Sequence, residues 1–208
     1  MTVRVLLISP AMGPAFRAAR FGEAAAAQDA TAPVASLDPV APVDPVDEAG
    51  ARQARAVREE FPRTDTVYVS PSPRCLRTAD LLGLGPAARP TAGLAPWAMG
   101  RWQGRTLDEV AAEDPGAVTA WLTDPAAAPH GGEPLTALLA RTGAWLDALD
   151  PATPGVLAVA EPDLVRAAAV HALGAPAASF WRFDVRPLTA TALTGRSGRW
   201  NLQGGRPL

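Results

Sequence analysis

Three short apolar runs constrain the fold of this chain more than any other feature. Their sequences are VRVLLIS at 3–9, TVYVS at 66–70 and VLAVA at 156–160. Runs of this length, rich in β-branched residues and leucine, predict buried strands. Helical patterns follow the second and third runs, over 74–82 and 163–173. Strands that alternate with helices in this way predict an α/β domain with a mostly parallel sheet.

The remaining sequence predicts further elements around these strands. Thr106 is predicted to cap a helix, because Glu109 follows at capping-box spacing, and the Asp114-Pro115 pair interrupts that helix. The alanine- and proline-rich stretch 22–45 predicts an irregular segment that contains a short helix over 23–28. Other patterns predict helices over 47–60 and 134–149, and strands over 188–193 and 199–202.

Composition excludes several classes of protein. The 208 residues fit one domain, and a single cysteine, Cys75, excludes an internal disulfide framework. The net charge of -2 and the lack of a basic run argue against a nucleic-acid partner. No apolar stretch approaches the roughly 18 residues of a membrane span, and the N-terminal residues do not resemble a signal peptide. We therefore expect a cytoplasmic protein with no membrane partner.

The carboxyl ends of the predicted strands are the first place to look for a site. Ligands of open parallel sheets bind beyond these ends. The residues that follow the three strands are Ser9-Pro10-Ala11, the segment from Ser70 to Arg74, and Glu161-Pro162-Asp163. We expect their side chains to share one rim of the sheet.

Four segments, in chain order, resemble one family. They are DPVDEAGARQA at 44–54, VYVSPSPRCLRTADLL at 67–82, GRWQGRTLDEVAAEDPGAVTAWLTDPAAAPHGGEPLTALLAR at 100–141 and VLAVAEPDLVRAAAVHALGAPAASFWRFDV at 156–185. Together they resemble the histidine phosphatase superfamily, the phosphoglycerate mutase-like proteins. The resemblance implies a three-layer α/β/α sandwich with a mostly parallel central sheet, in a single domain that spans residues 1–208.

The resemblance also implies a specific chemistry. In the family, a histidine in an Arg-His-Gly motif after the first strand attacks the phosphoryl group. Two arginines and a second histidine hold the phosphate oxygens, and a carboxylate in a middle loop donates a proton. This is nucleophilic catalysis with charge stabilisation of the transferred group, and it implies neither a metal nor a cofactor.

This sequence departs from the family pattern at most of the chemical positions. Ser9-Pro10-Ala11 stands where the Arg-His-Gly motif is expected, and proline has no nucleophilic side chain. Pro96 aligns with the proton-donating carboxylate, and Glu161 aligns with the second histidine. Only Arg74 matches the phosphate-binding core. The resemblance therefore predicts a degenerate motif that cannot form the phosphohistidine.

Eight side chains remain candidates for a site. We predict catalytic roles for Glu161, His130 and Glu133, and ligand-binding roles for Arg74, Ser9, Arg17, Trp97 and Asp163. An apolar wall from Trp97 and Met99 is expected to desolvate Glu161 and raise its pKa, with His130 converging on the same pocket. Simpler alternatives stay open: a helix cap for Asp163, and structural burial for His171 and Cys75.

Three functions are compatible with these residues. The first is a repurposed enzyme that performs acid/base chemistry on a small organic, non-phosphate substrate. The second is a non-catalytic pseudophosphatase that binds a metabolite or a protein. The third is residual phosphomonoesterase or mutase activity. We expect a small-molecule ligand, no cofactor, no metal and no nucleic-acid partner, and a homodimer is left open.

Overall fold

A computed structural model describes residues 2–22, 45–61, 64 and 66–204. The short helix predicted over 23–28, and nearly all of the irregular segment around it, lie outside the described residues. None of the helices within the described ranges is long and apolar enough to cross a membrane.

The described strands form one mixed sheet of six. They are β1 (Val3–Ile8), β2 (Val67–Val69), β3 (Ala88–Pro90), β4 (Gly155–Val159), β5 (Ala190–Arg196) and β6 (Arg199–Gln203). The order across the sheet is β3-β2-β4-β1-β5-β6. The four strands from β3 to β1 are parallel, whereas β5 and β6 pair antiparallel. The prediction that the three apolar runs form adjacent parallel strands is confirmed.

Local capping signals explain where the helices begin and end. The predicted capping box between Thr106 and Glu109 is present, and Asp114 ends one helix while its side chain caps the next. Gly174 ends the last helix in the left-handed conformation, at φ 57°. The helices are α1 (Pro14–Arg17), α2 (Glu48–Ala56), α3 (Pro73–Leu81), α4 (Leu107–Glu113), α5 (Pro115–Thr123), α6 (Leu135–Asp147) and α7 (Pro162–Leu173).

Two apolar clusters cover the two faces of the sheet and make the fold three-layered. Side chains alternate between the faces of a strand. In β1, Val3, Val5 and Leu7 therefore pack in one cluster with residues of α6 and α7. Ile8 packs in the other cluster, with residues of α2 and α3. The predicted three-layer α/β/α sandwich is confirmed.

Three elements differ from the sequence prediction. The strand expected over 188–193 begins at Ala190, because Leu188 has a positive φ of 53° that breaks an extended strand. The short helix α1 and the three-residue strand β3 were not predicted, since neither is long enough to show a periodic pattern. Helix α1 matters most, because it lies beside the carboxyl end of β1.

Candidate functional site

A cavity of about 300 Å³ opens at the carboxyl ends of the parallel strands. Ser72 and Arg74 reach it from the start of α3, which follows β2. Glu161 and Asp163 reach it from the start of α7, which follows β4. The structure therefore brings together the residues that follow β2 and β4, at the edge of the sheet where parallel folds present their ligands.

Arg74 and Glu161 form a buried ion pair on the floor of this cavity. An Nη of Arg74 lies in close contact with Glu161 Oε2, and the side chains are 9% and 14% exposed. Ser72 Oγ donates a hydrogen bond to Glu161 Oε1 at 2.7 Å. Burial opposes the charge of Arg74, but the adjacent Glu161 carboxylate keeps the pKa of the guanidinium raised. Each carboxylate oxygen of Glu161 thus has a donor of its own.

Asp163 is the carboxyl group of the cavity whose pKa is shifted. Burial, reinforced by the negative charge of Glu161, raises the pKa of Asp163 from 3.8 to about 6. Among the described residues, no cation lies within ion-pair distance of its carboxylate. The predicted cap role is wrong, since Glu161 occupies the N-cap position of α7 and Asp163 lies in the first turn. Asp163 is therefore the available acidic group of this site.

Aromatic side chains from four parts of the chain form the apolar walls. Trp97, Trp121 and Trp181 are in mutual contact, with ring centroids 4.7–6.2 Å apart. The indole of Trp97 is fixed by a 2.7 Å hydrogen bond from Nε1 to the carbonyl of Glu133. Helix α1 and the segment after it contribute Phe16 and Phe21, and the centre of the Phe21 ring lies 5.5 Å from that of Trp121. This wall is the environment that the sequence predicted from Trp97 and Met99 alone.

Helix α1 also covers the buried ion pair. The Arg74 guanidinium lies 4.6 Å from the centre of the Phe16 ring, within the range of a cation–π contact. Backbone hydrogen bonds between Phe21 and residues 104 and 105 hold the end of this segment against the start of α4. Helix α1 is therefore a fixed wall of the cavity.

His130 does not converge with Glu161, contrary to the sequence prediction. Its ring is buried against Trp102, with centroids 5.2 Å apart, and it is not among the residues that line the cavity. Its Nδ1 accepts a 2.9 Å hydrogen bond from Gly132 N, and burial followed by the charge of Arg101 lowers the pKa of the ring. The glycines let this loop approach 97–101 closely, so His130 points inward.

Glu133 also lies outside the cavity lining, because an arginine engages its carboxylate. Arg141 donates to both Glu133 oxygens, at 2.6 and 3.0 Å, and also to the carbonyls of Gly93 and Ala95. The pair ties α6 to the loop that carries Trp97. The role of Glu133 in this structure is to position that wall, rather than to meet a ligand.

Ser9 and Arg17 were also predicted to bind a ligand, and neither lines the cavity. Ser9 is fully buried; its hydroxyl donates to the carbonyl of Arg186 and accepts from Thr189 N, which fastens the end of β1 to the segment before β5. The Arg17 guanidinium lies on the surface and pairs with Asp47 at 2.6 Å, joining α1 to α2. Both side chains are therefore engaged in contacts that join secondary-structure elements.

Cys75 and His171, for which the sequence left a structural role open, both contact other parts of the fold and are not among the described residues that line the cavity. Cys75 is fully buried, and burial raises the pKa of its thiol well above the usual value. His171 Nε2 lies 3.2 Å from Asp147 Oδ1, which also accepts from Trp200 Nε1. Within the described ranges, no group of three or more histidine, cysteine, aspartate or glutamate side chains could hold a metal ion.

Four aromatic residues that line the cavity were not predicted from the sequence: Phe16, Phe21, Trp121 and Trp181. Trp181 lies in the aromatic SFWRF run at 179–183, an unusual cluster that was an available signal. The two phenylalanines gave none, since single aromatic residues in a short loop are common in any fold. Their part in the site depends on how α1 packs.

Comparison with known proteins identifies the relatives of this chain. The family model described as "Histidine phosphatase superfamily (branch 1)" matches residues 44–205. Two Mycobacterium tuberculosis proteins described as glucosyl-3-phosphoglycerate phosphatase are 34% identical over 148 residues, which are 64% of this chain. That alignment spans 66% of each relative, just under two thirds of its length.

Solved structures share the fold over almost the whole chain. The native mycobacterial glucosyl-3-phosphoglycerate phosphatase is 27% identical with a TM-score of 0.73, and the match covers 97% of both chains. A structure described as a putative α-ribazole-5'-P phosphatase from Escherichia coli has a TM-score of 0.77 at 21% identity, over 97% of this chain and 94% of that one. The second likeness concerns the fold alone.

Proposed function

This chain belongs to the histidine phosphatase superfamily, and from that premise we propose that it is a pseudophosphatase. It holds a small organic molecule in the cavity beyond β2 and β4 and does not transfer a phosphoryl group. The proposal follows the second of the three functions that the sequence left open. The acid/base enzyme required Glu161 and His130 to share one pocket, but His130 is not among the described residues that line the cavity.

The contact between Glu161 and Arg74 is the observation that carries the proposal. By resemblance, Arg74 corresponds to a phosphate-holding arginine and Glu161 to the second histidine of the family. The Glu161 carboxylate accepts from Nε and one Nη of Arg74 and from the Ser72 hydroxyl, which are donors that an incoming phosphate would need. Two like charges 4 Å apart repel by about 4 kcal/mol at an effective dielectric near 20. Glu161 thus acts as an internal anion that disfavours phosphate.

The end of β1 supports the same proposal. Pro10 follows the strand where the resemblance places the nucleophilic histidine, and its side chain cannot accept a phosphoryl group. The neighbouring Ser9 hydroxyl is buried and already hydrogen-bonded. Within the described cavity lining there is neither a histidine nor a cysteine to take over as nucleophile.

Phosphatase assays test the loss of activity. The substrates are p-nitrophenyl phosphate and glucosyl-3-phosphoglycerate, after which the mycobacterial relatives are named. We expect turnover equal to that of the Arg74→Ala variant and of buffer. Turnover that this variant loses, or acid-labile ³²P on a histidine, contradicts the proposal.

A fluorescence titration tests the binding cavity. The neutral apolar probe N-phenyl-1-naphthylamine should quench the tryptophans that line the cavity. Trp181→Ala should weaken binding of the probe, whereas Leu122→Ala, at an exposed position on α5, is the matched control. If the probe does not bind the wild-type protein, or if it binds Trp181→Ala and Leu122→Ala with equal affinity, the cavity is not its binding site.

A second candidate, proton-transfer chemistry on a neutral substrate, is favoured by one observation. The pKa of Asp163, raised to about 6 by burial and by Glu161, suits a general base that works near neutral pH. The probe reaction is the base-promoted ring opening of 5-nitrobenzisoxazole, whose rate should rise with pH through about 6. The candidate requires that Asp163→Asn abolish this rate, and an unchanged rate eliminates it.

A further inference from the structure

Resting on the proposed small-molecule site, we infer that its ligand is an aromatic ammonium compound. Its ring would pack among the tryptophans of the wall, and its cationic nitrogen would meet the carboxylate of Asp163. Such a ligand is opposite in charge to a phosphate ester.

The two carboxylates of the cavity differ in their partners. Glu161 is engaged by Arg74 and Ser72, so its oxygens already have donors. Asp163 lines the same cavity, half-buried, and no described cation lies within ion-pair distance of it. A carboxylate in this position gains more from a bound cation than from a neutral group, because burial has removed part of its hydration.

The walls of the cavity are rich in aromatic side chains. Three tryptophans and two phenylalanines line the cavity: Trp97, Trp121, Trp181, Phe16 and Phe21. Tryptophan is the best aromatic partner for a cation, and groups of aromatic rings are the recurring device that proteins use to bind organic ammonium ions. The same rings supply apolar surface for the body of the ligand, so they favour an aryl or alkyl ammonium over a hydrated metal ion.

Each of the three arginines that line the described cavity has a partner of its own. Arg74 is neutralised by Glu161. Arg166 donates from Nε to the carbonyl of Phe183 at 2.7 Å, and its guanidinium lies 5.8 Å from the centre of the Phe180 ring. Arg20 donates to the carbonyl of Gly104 and lies 3.6 Å from Glu109 at the surface.

Arg141 is the described cation whose charge acts most on Asp163, and its own partner is Glu133. The negative charge of Glu161 acts more strongly on the pKa of Asp163 than the positive charge of Arg141 does. The electrostatic environment at this carboxylate therefore favours a positive ligand.

The titration of Asp163 should make the affinity for an ammonium ligand depend on pH. An ammonium ion pairs with the ionised carboxylate, and the apparent affinity falls with the fraction of protein that is ionised. With a pKa of about 6, Asp163 is almost fully ionised at pH 7.5 and about one tenth ionised at pH 5. Binding of an ammonium ligand should therefore weaken about tenfold between pH 7.5 and 5, while binding of a neutral ligand stays constant.

The experiment compares three ligands of one shape by isothermal titration calorimetry. They are phenethylammonium, 2-phenylethanol and phenylacetate, each titrated into the full chain at pH 7.5 and 5. We expect phenethylammonium to bind at least about tenfold more tightly than the alcohol at pH 7.5, as for a charge-assisted contact in a partly desolvated site. Asp163→Asn should remove this preference. Asp108→Asn, which removes an exposed carboxylate from α4, should retain it.

Each outcome separates this inference from the proposed function. Equal affinities for the ammonium and the alcohol, preference for phenylacetate, or ammonium binding that survives Asp163→Asn would each overturn the inference while leaving the cavity as a binding site. Binding of N-phenyl-1-naphthylamine without any of the three ligands also overturns it. Failure of this neutral probe as well overturns the proposed function itself.

Discussion

Replacing Glu161 by glutamine removes one charge from the buried pair and leaves the Arg74 guanidinium without its counter-ion. The two side chains are only 9% and 14% exposed, so water replaces little of what is lost. Breaking a buried pair by removing one partner costs about 3–5 kcal/mol. Glutamine keeps the shape and can still accept from Ser72, so we expect the lower end of this range.

The unfolding temperature should fall accordingly. For a chain of 150–250 residues, each kcal/mol corresponds to about 2–4 °C, which gives a decrease of about 6–12 °C for Glu161→Gln. Glu48→Gln is the control, because Glu48 and Arg52 form an exposed pair, with side chains 92% and 65% exposed. Such a pair contributes at most about 1 kcal/mol.

Sulfate distinguishes loss of a counter-ion from loss of packing. In Glu161→Gln, the anion can bind Arg74 in place of the carboxylate, and a ligand at 100 times its Kd stabilises a protein by about 2.7 kcal/mol. Sulfate should therefore restore most of the lost stability in the variant and act on the wild type only through its general salting-out effect. Equal stabilisation of the two proteins, or no destabilisation by Glu161→Gln, would refute the reasoning.

Three further changes test other parts of the structure. The pKa of Asp163 is raised from 3.8 to about 6 in the folded state, so the free energy of unfolding should fall as the pH rises from about 4 to 6. Asp163→Asn should therefore be about 3 kcal/mol more stable than the wild type at pH 7.5 in urea titrations. The same pH dependence of stability in the variant and the wild type contradicts this prediction. Ser9→Ala leaves the partly buried Thr189 N–H without its acceptor and should cost about 1–3 kcal/mol without altering probe affinity; weaker probe binding would instead place Ser9 in the site. Asp147→Ala removes the acceptor of Trp200 Nε1 and should lower stability by about 2 kcal/mol in thermal unfolding, and wild-type stability would mean that the network is exposed to water.

Local signals in the sequence were sufficient for the framework of the fold. The apolar runs that became β1, β2 and β4 are buried on both faces, which leaves a continuous signal that does not depend on neighbours. The cap at Thr106 and the break at Asp114 depend on contacts within four residues, so the sequence shows them directly. The short strand β3 and helix α1 are fixed by packing on other elements and leave no such signal.

The candidate site was predictable only in part, because its residues act in pairs. The sequence placed Arg74 and Glu161 at neighbouring strand ends, but predicted a catalytic role for the glutamate. In the folded chain, the two side chains satisfy each other, which leaves Asp163 as the available acid. Which of two carboxylates meets an arginine depends on side-chain directions at the start of α7, and spacing along the chain does not encode them.

The sequence by itself determined the family and the order of the longer strands and helices, since these follow from residue identity and periodicity. Tertiary structure decided which residues share the cavity. The glycine-flanked loop could have presented His130 to a ligand or buried it, and close packing against 97–101 buried it. The aromatic wall combines residues from α1, from the loop before α4, from α5 and from the segment after α7. Their proximity arises only when these elements pack on one edge of the sheet, because the cavity is a property of that packing and of no single segment.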